Sequence, residues 1–353
     1  MLQLKPLPIP KNLETPKVLK KAILANKALA SLNGVARIIP NSTILINSLA
    51  LQEAKDSSAI ENIITTHDEL YRANLDLEQT TTATKEVQYY KEALLRGVAL
   101  TKDANLLLAR HIVEIQSVLE KNNAGVRKQS GMNLKNTQTG EVIYTPPQEY
   151  ETIQVLLANL ERYINEPNDI DPLINMAIIH HQFESIHPFY DGNGRTGRII
   201  NILYLILKGL LDIPILYLSN YIIAHKSEYY QLLQEVRVGD NWEEWILYIL
   251  EAVEQTAMET IGLINNIDKL ITQMQNTVLE KLPKIYSKDL IEVLFMHPYT
   301  KIDFLVEKLG VTRQTASKYL SELENIGALE RIQIKNSKFF VNVELFALLK
   351  KGI

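Results

Sequence analysis

Cysteine is absent from all 353 residues. Its absence excludes disulfides, thiolate nucleophiles and Cys-based zinc sites, and it fits a reducing compartment, so a cytoplasmic location is expected. Long apolar runs are missing too. The longest, from Ile199 to Leu207, stops at Lys208 and falls short of the ~20 residues a bilayer span needs. Met1-Leu2-Gln3-Leu4-Lys5-Pro6 lacks the apolar centre of a secretion signal, so no membrane association is expected. Charge of one sign is not in excess. At a net −4, any surface for nucleic acid has to be local. Neither H-E-x-x-H nor G-x-x-x-x-G-K-[S/T] occurs, which removes the zincin and P-loop readings.

The chemistry-bearing residues gather in one stretch, His187-Pro188-Phe189-Tyr190-Asp191-Gly192-Asn193-Gly194-Arg195-Thr196-Gly197-Arg198. Apolar helical sequence flanks it, so it reads as the end of one buried helix, a tight loop and the start of another. Gly192 and Gly194 permit positive φ. Such a turn points successive N–H groups into an anion-binding nest, and a following helix adds its free N–H groups and dipole. Arg195 and Arg198 can fork onto phosphate oxygens. Asp191 suits Mg²⁺ bridging phosphates. His187 titrates near neutrality when unperturbed and is a natural base for a hydroxyl nucleophile. The set reads as transfer of a phosphorus group from a Mg-bound nucleotide to an alcohol.

This stretch resembles the signature of Fic domains, H-x-F-x-[D/E]-G-N-G-R-x-x-R, and matches it at every fixed position. The resemblance implies a mainly α fold: a Fic helical core, a short β-hairpin flap and, by a separate match, a C-terminal winged-helix domain. It implies an enzyme, a protein adenylyltransferase that moves AMP from ATP to a Tyr, Thr or Ser hydroxyl of a protein. By that carry-over His187 is the base, Asp191 holds Mg²⁺, Gly192, Asn193, Gly194 and Arg195 bind phosphates, and Arg198 holds the γ-phosphate. Phe189 would anchor the loop in the core. The GNGR form is similar to the AMP-transferring members rather than the Doc-type kinases.

Upstream, Ser57-Ser58-Ala59-Ile60-Glu61-Asn62 places Ser57 and Glu61 four residues apart on one helix face. Beside the signature, it resembles the family's inhibitory helix, which implies that Glu61 pairs with Arg198 and displaces the γ-phosphate. Val142-Ile143-Tyr144 after Thr139-Gly140 suggests a hairpin. Its position resembles the family's flap, which holds a target segment by strand addition, with Ile143 and Tyr144 facing the target. Tyr230 and Leu233 lie where the family closes over adenine, and Arg237 stands by spacing where many relatives have asparagine. His180 and His181 read as core and polar neighbours rather than metal ligands.

The last segment reads as three helices and a two-stranded wing, similar to a winged helix-turn-helix. Bound to DNA, Arg313, Gln314, Ser317 and Lys318 would meet the major groove, and Lys335 or Lys338 a phosphate. The expected organisation is an N-terminal helical region over 1–110, a Fic core over 111–255, a helical linker over 256–283 with a surface for a homodimer, and the winged helix over 284–353. Two other functions stay open. One is removal of AMP from a protein, with Glu61 required rather than inhibitory. The other is a DNA-binding regulator whose core only senses nucleotide. The protein target, its own tyrosines included, is not legible.

Overall fold

A computed structural model describes residues 4–73, 80–135, 139–334 and 337–351. Helix α1 (Pro16–Ala36) starts where Thr15 accepts the Val18 N–H and Pro16 fixes the first turn. Helix α2 (Ser42–Ile60) starts at Asn41, whose Oδ1 accepts the Thr43 N–H at 3.0 Å. Helices α3 (His67–Ala73), α4 (Thr82–Ala104) and α5 (Ala109–Glu120) follow. Strands β1 (Leu134–Lys135) and β2 (Val142–Tyr144) pair antiparallel, with Leu134 opposite Tyr144. Then come α6 (Tyr150–Asn165), α7 (Pro172–Ile186), α8 (Asn193–Leu207), α9 (Leu218–Ala224) and α10 (Lys226–Gly239).

Helices α7 and α8 pack on each other at the centre. Both are buried over nearly their whole surface, which is why their sequences are apolar on all sides. The 187–192 loop joins them, so the core itself aims the loop.

Helix α11 (Trp242–Lys281) is one unbroken rod of 40 residues. It packs along α1 and touches α7, α9 and α10 near one end and α12 and α15 near the other. A boundary at 255 therefore falls inside a helix. The stretch expected as a linker buries Thr256, Ala257, Thr260, Leu263, Ile264 and Ile267 instead.

The C-terminal segment comprises α12 (Lys288–Met296), β3 (Tyr299–Thr300), α13 (Ile302–Leu309), α14 (Arg313–Asn325), β4 (Glu330–Ile334), β5 (Ser337–Val341) and α15 (Val343–Lys351). Thr312 caps α14 by accepting the Thr315 N–H. Its sheet has three strands rather than two, in the order β3-β5-β4, because Tyr299 and Thr300 pair with Val341 and Phe340. This segment grips α2. Asn41 donates to Glu292 (3.1 Å), Asn47 to the Met296 carbonyl (3.3 Å) and Gln52 to the Leu349 carbonyl (3.2 Å).

Among the described residues no helix is long and apolar enough to cross a membrane.

Candidate active site

Helix α7 stops at His187, which adopts a left-handed conformation (φ 49°, ψ 59°) while its N–H still bonds the Phe183 carbonyl at 3.0 Å. Arg127, itself buried, holds the loop open: its Nε donates to the His187 carbonyl (2.9 Å) and its backbone N–H to the Pro188 carbonyl (2.9 Å). Asn193 spends its side chain inside the loop, accepting the Phe189 N–H and donating to the Phe189 carbonyl, both at 2.9 Å. Only the backbone of Asn193 is left for a phosphate. Phe189 is buried, as expected of an anchor. Gly192, at φ 75°, then launches α8. The first turn of α8 leaves N–H groups without helical acceptors, a nest for an anion.

Asp191 is exposed at the rim, with Oδ1 fixed by the Gly192 N–H at 2.7 Å. Among the described residues no three His, Asp or Glu side chains come together as a metal cage. One oriented carboxylate beside a phosphate nest still fits Mg²⁺, which takes one or two protein carboxylates and completes its shell from phosphates and water.

The two arginines differ. Arg198 is buried, and among the described residues α2 and its C-cap supply its hydrogen-bond partners. Its Nε donates to Ser57 Oγ (2.7 Å), and its Nη2 donates to the Ser57 carbonyl (2.9 Å) and to Glu61 Oε1 (2.9 Å). Burial alone would lower its pKa, yet Glu61 and neighbouring tyrosines hold it above the ordinary value. Glu61 is the C-cap of α2 and not an interior helical residue. Asn62 follows at φ 65°, a conformation that asparagine tolerates better than most residues, and it turns the chain away there. Gly194 lies against the same carboxylate, and a Cβ placed on it would fall on Glu61 Oε1. Arg195, in contrast, gives Nη1 to Glu86 (3.1 Å) and Nη2 to Glu120 (2.8 Å), leaving only a buried Nε unpaired.

Burial pushes the His187 imidazole down to about 4, with the Arg237 and Arg127 cations adding to the effect. It is therefore neutral at physiological pH, the form that can take a proton. Arg237 lies over the Tyr144 ring (4.0 Å) and donates to Ser185 Oγ (3.0 Å). That places it at the flap, where sequence spacing had suggested the base pocket. Tyr144 donates its hydroxyl to the Ser185 carbonyl at 2.9 Å, so it anchors the hairpin and is not free to face a target. Ile143 is exposed, its carbonyl held by Gln234 Nε2 at 3.0 Å. Tyr230 is also exposed, edge-on to Tyr229. Leu233 is buried in the core. His180 stacks on Trp245 and His181 packs against Trp242; both are buried, where the sequence had suggested one in the core and one as a polar neighbour.

In α14, Arg313, Gln314 and Lys318 are exposed and Ser317 is half-buried. Arg313 pairs with Asp303 and Lys318 lies 3.8 Å from Glu322. Lys338 is exposed, and Lys335 lies outside the described residues. Sequence reasoning missed Glu86, Gln116, Glu120 and Arg127, none of which stands near the signature in sequence.

The model described as Fic/DOC family N-terminal matches residues 19–99, and the Fic/DOC family model matches residues 100–205. Residues 270–345 match the C-terminal domain described as protein adenylyltransferase SoFic-like. A probable protein adenylyltransferase of Aquifex aeolicus is 28% identical over 44% of this chain and 45% of its own. Protein adenylyltransferase fic-1 of Caenorhabditis elegans is 25% identical over 56% of this chain and 40% of its own. The chain thus spans less than half the length of these curated relatives. A crystal structure of a Fic family protein from Desulfovibrio desulfuricans superposes with a TM-score of 0.60 at 18% identity, over 95% of this chain and 97% of that one. Residues 134–508 of Fic-1 from C. elegans give a TM-score of 0.55 at 20% identity, over 71% of this chain and 74% of that one. With residues 19–205, more than half the chain, spanned without a gap by the two Fic/DOC models, the chain belongs to the Fic/DOC family.

Proposed function

We propose that this protein transfers AMP from Mg-ATP to a hydroxyl of a protein, and that Glu61 restrains the reaction by occupying Arg198. The observation that carries the reading is the 2.9 Å pairing of Glu61 with Arg198, with the Glu61 carboxylate against Gly194 in the first turn of α8. The names of the curated relatives, protein adenylyltransferases, support the reaction class.

His187, neutral and beside the flap, takes the proton of the target hydroxyl as that oxygen attacks the α-phosphorus. The bond to pyrophosphate breaks. The N–H groups of the first α8 turn receive the growing charge on the phosphates. Bound at Asp191, Mg²⁺ would neutralise phosphate charge. Arg198, once released by Glu61, holds the terminal phosphate, and the two Ser57 contacts keep it aimed. An extended target segment would add along β2 at exposed Ile143, taking the carbonyl that Gln234 now holds.

The test uses ATP labelled at the α-phosphate, with Mg²⁺, on the native chain, Glu61→Gly and His187→Ala, each with and without a cell lysate. Strong labelling by Glu61→Gly, weak labelling by the native chain and none by His187→Ala is expected. No labelling by any variant overturns transfer. Release of AMP from a modified protein, dependent on Glu61, would replace it with the reverse reaction. The C-terminal segment is proposed to bind DNA through α14. Salt-dependent duplex binding that survives Arg313→Ala with Lys318→Ala would overturn that assignment.

A further inference from the structure

Arg195 stands in the signature, yet carboxylates close it from two sides. We propose that Glu120, together with Gln116 one turn earlier on α5, is a positioning residue that holds the Asp191–Gly192 turn and Arg195 in place, and so sets how strongly nucleotide binding depends on Mg²⁺. This rests on the adenylyl-transfer reading.

Residues four apart share a helix face, and both side chains of this face reach the loop. Gln116 is buried and its Nε2 donates to the Asp191 carbonyl at 3.2 Å. Glu120 accepts from Arg195 Nη2 at 2.8 Å. The same Glu120 oxygen lies beneath Gly192, where any Cβ would fall on it. Gly192 is thus favoured by its φ of 75°, and a side chain there would also push the Glu120 carboxylate off its place. Helix α4 adds Glu86 on the other end of the guanidinium at 3.1 Å. Arg195 therefore works as a clasp that joins α4 and α5 to the start of α8.

Charge gives the arrangement its consequence. Three carboxylates, Glu86, Glu120 and Asp191, share this rim with one guanidinium. An unaccompanied triphosphate meets net negative charge beside the nest, whereas a divalent cation on Asp191 is favoured by the same surroundings. Glu120 acts on that cation without touching it, through the turn that presents Asp191 and through its own charge. Partners of this kind shift metal affinity by about 10- to 100-fold when they are altered.

The experiment compares three proteins: Glu61→Gly as parent, the parent with Glu120→Gln, and the parent with Glu86→Gln. Calorimetry measures ATP binding across a Mg²⁺ titration, and melting temperature reports the fold. The amide keeps the size of Glu120 and an oxygen for Arg195 while removing the charge. The expected result for Glu120→Gln is a half-saturating Mg²⁺ concentration raised about tenfold, the low end of that range, at an unchanged melting temperature. Glu86→Gln touches Arg195 but not the Asp191 turn, and should shift it far less. A Mg²⁺ dependence for Glu120→Gln equal to the parent's, or one matched by Glu86→Gln, overturns the proposal. A parent that binds no ATP at any Mg²⁺ concentration strikes at the adenylyl-transfer reading, a separate outcome visible before the second substitution is made.

Discussion

Replacing Glu61 with glutamine removes one charge, changes the volume little and keeps an oxygen for Arg198. The structure sets the size of the effect. The pair meets at 2.9 Å, with the arginine side chain 1% exposed and the glutamate 35% exposed. Unit charges ~4 Å apart interact by about 4 kcal/mol at an effective dielectric constant near 20. Solvent on the glutamate side screens roughly half of that, leaving about 2 kcal/mol. A nucleotide that must break the pair gives up this amount, so Glu61→Gln should bind Mg-ATP about thirtyfold more tightly than the native chain. Calorimetric titration of both proteins, in the His187→Ala background to prevent turnover, reads the ratio directly. Added salt should leave most of the difference in place, because the arginine is buried. Affinities within a factor of about two of each other would refute the electrostatic account of restraint, whatever the labelling results.

Three other outcomes follow from the same geometry. Arg237→Gln removes a cation that depresses His187, so the acid limb of Glu61→Gly activity, set by a base at about 4, should move toward neutral pH; an unmoved limb in a pH–rate profile would refute this. Burial pushes Glu184 up from 4.5 to about 7, so its contribution to stability is intact below pH 4.5 and is lost as pH rises to 7. Glu184→Gln should therefore match the native stability at pH 4.5 and exceed it at pH 8 by about 3 kcal/mol in urea titrations. Gly197→Ala sets a methyl group on Glu184 Oε1 and 3.1 Å from Phe183 Cδ1, and should cost about 1–3 kcal/mol, partly recovered by adding Glu184→Ala.

The signature loop was legible because its chemistry is contiguous: base, carboxylate, glycines and arginines fall within twelve residues. What escaped were the partners brought in from a distance. Gln116 and Glu120 sit on an ordinary amphipathic helix, and nothing in their own neighbourhood says that a loop 75 residues away will settle on them. Arg127 lies 60 residues before the His187 carbonyl that its side chain holds, and no local pattern links the two. Tyr144 shows the limit of alternation in a three-residue strand: its ring could have faced out, and the Ser185 carbonyl and Arg237 draw it in. Continuity of α11 was open in the sequence, since Gly262 sits mid-way in the helical pattern and could have ended a helix, yet the helix runs through it.

The depth of α2 in the core has a kinetic meaning. Ile44, Leu45, Leu49, Leu51 and Ile60 are all buried, and exposing side chains of this size costs about 2 kcal/mol each. Lifting the whole helix off Arg198 would thus consume about 10 kcal/mol, as much as a domain's entire stability. So slow a route could not serve a signal. A turn of the Glu61 side chain at the C-cap of that helix costs far less and belongs to the nanosecond range of rotamer changes in exposed residues. Activation on this architecture would therefore be fast and local, its rate set by a single side chain, with the scaffold standing still behind it.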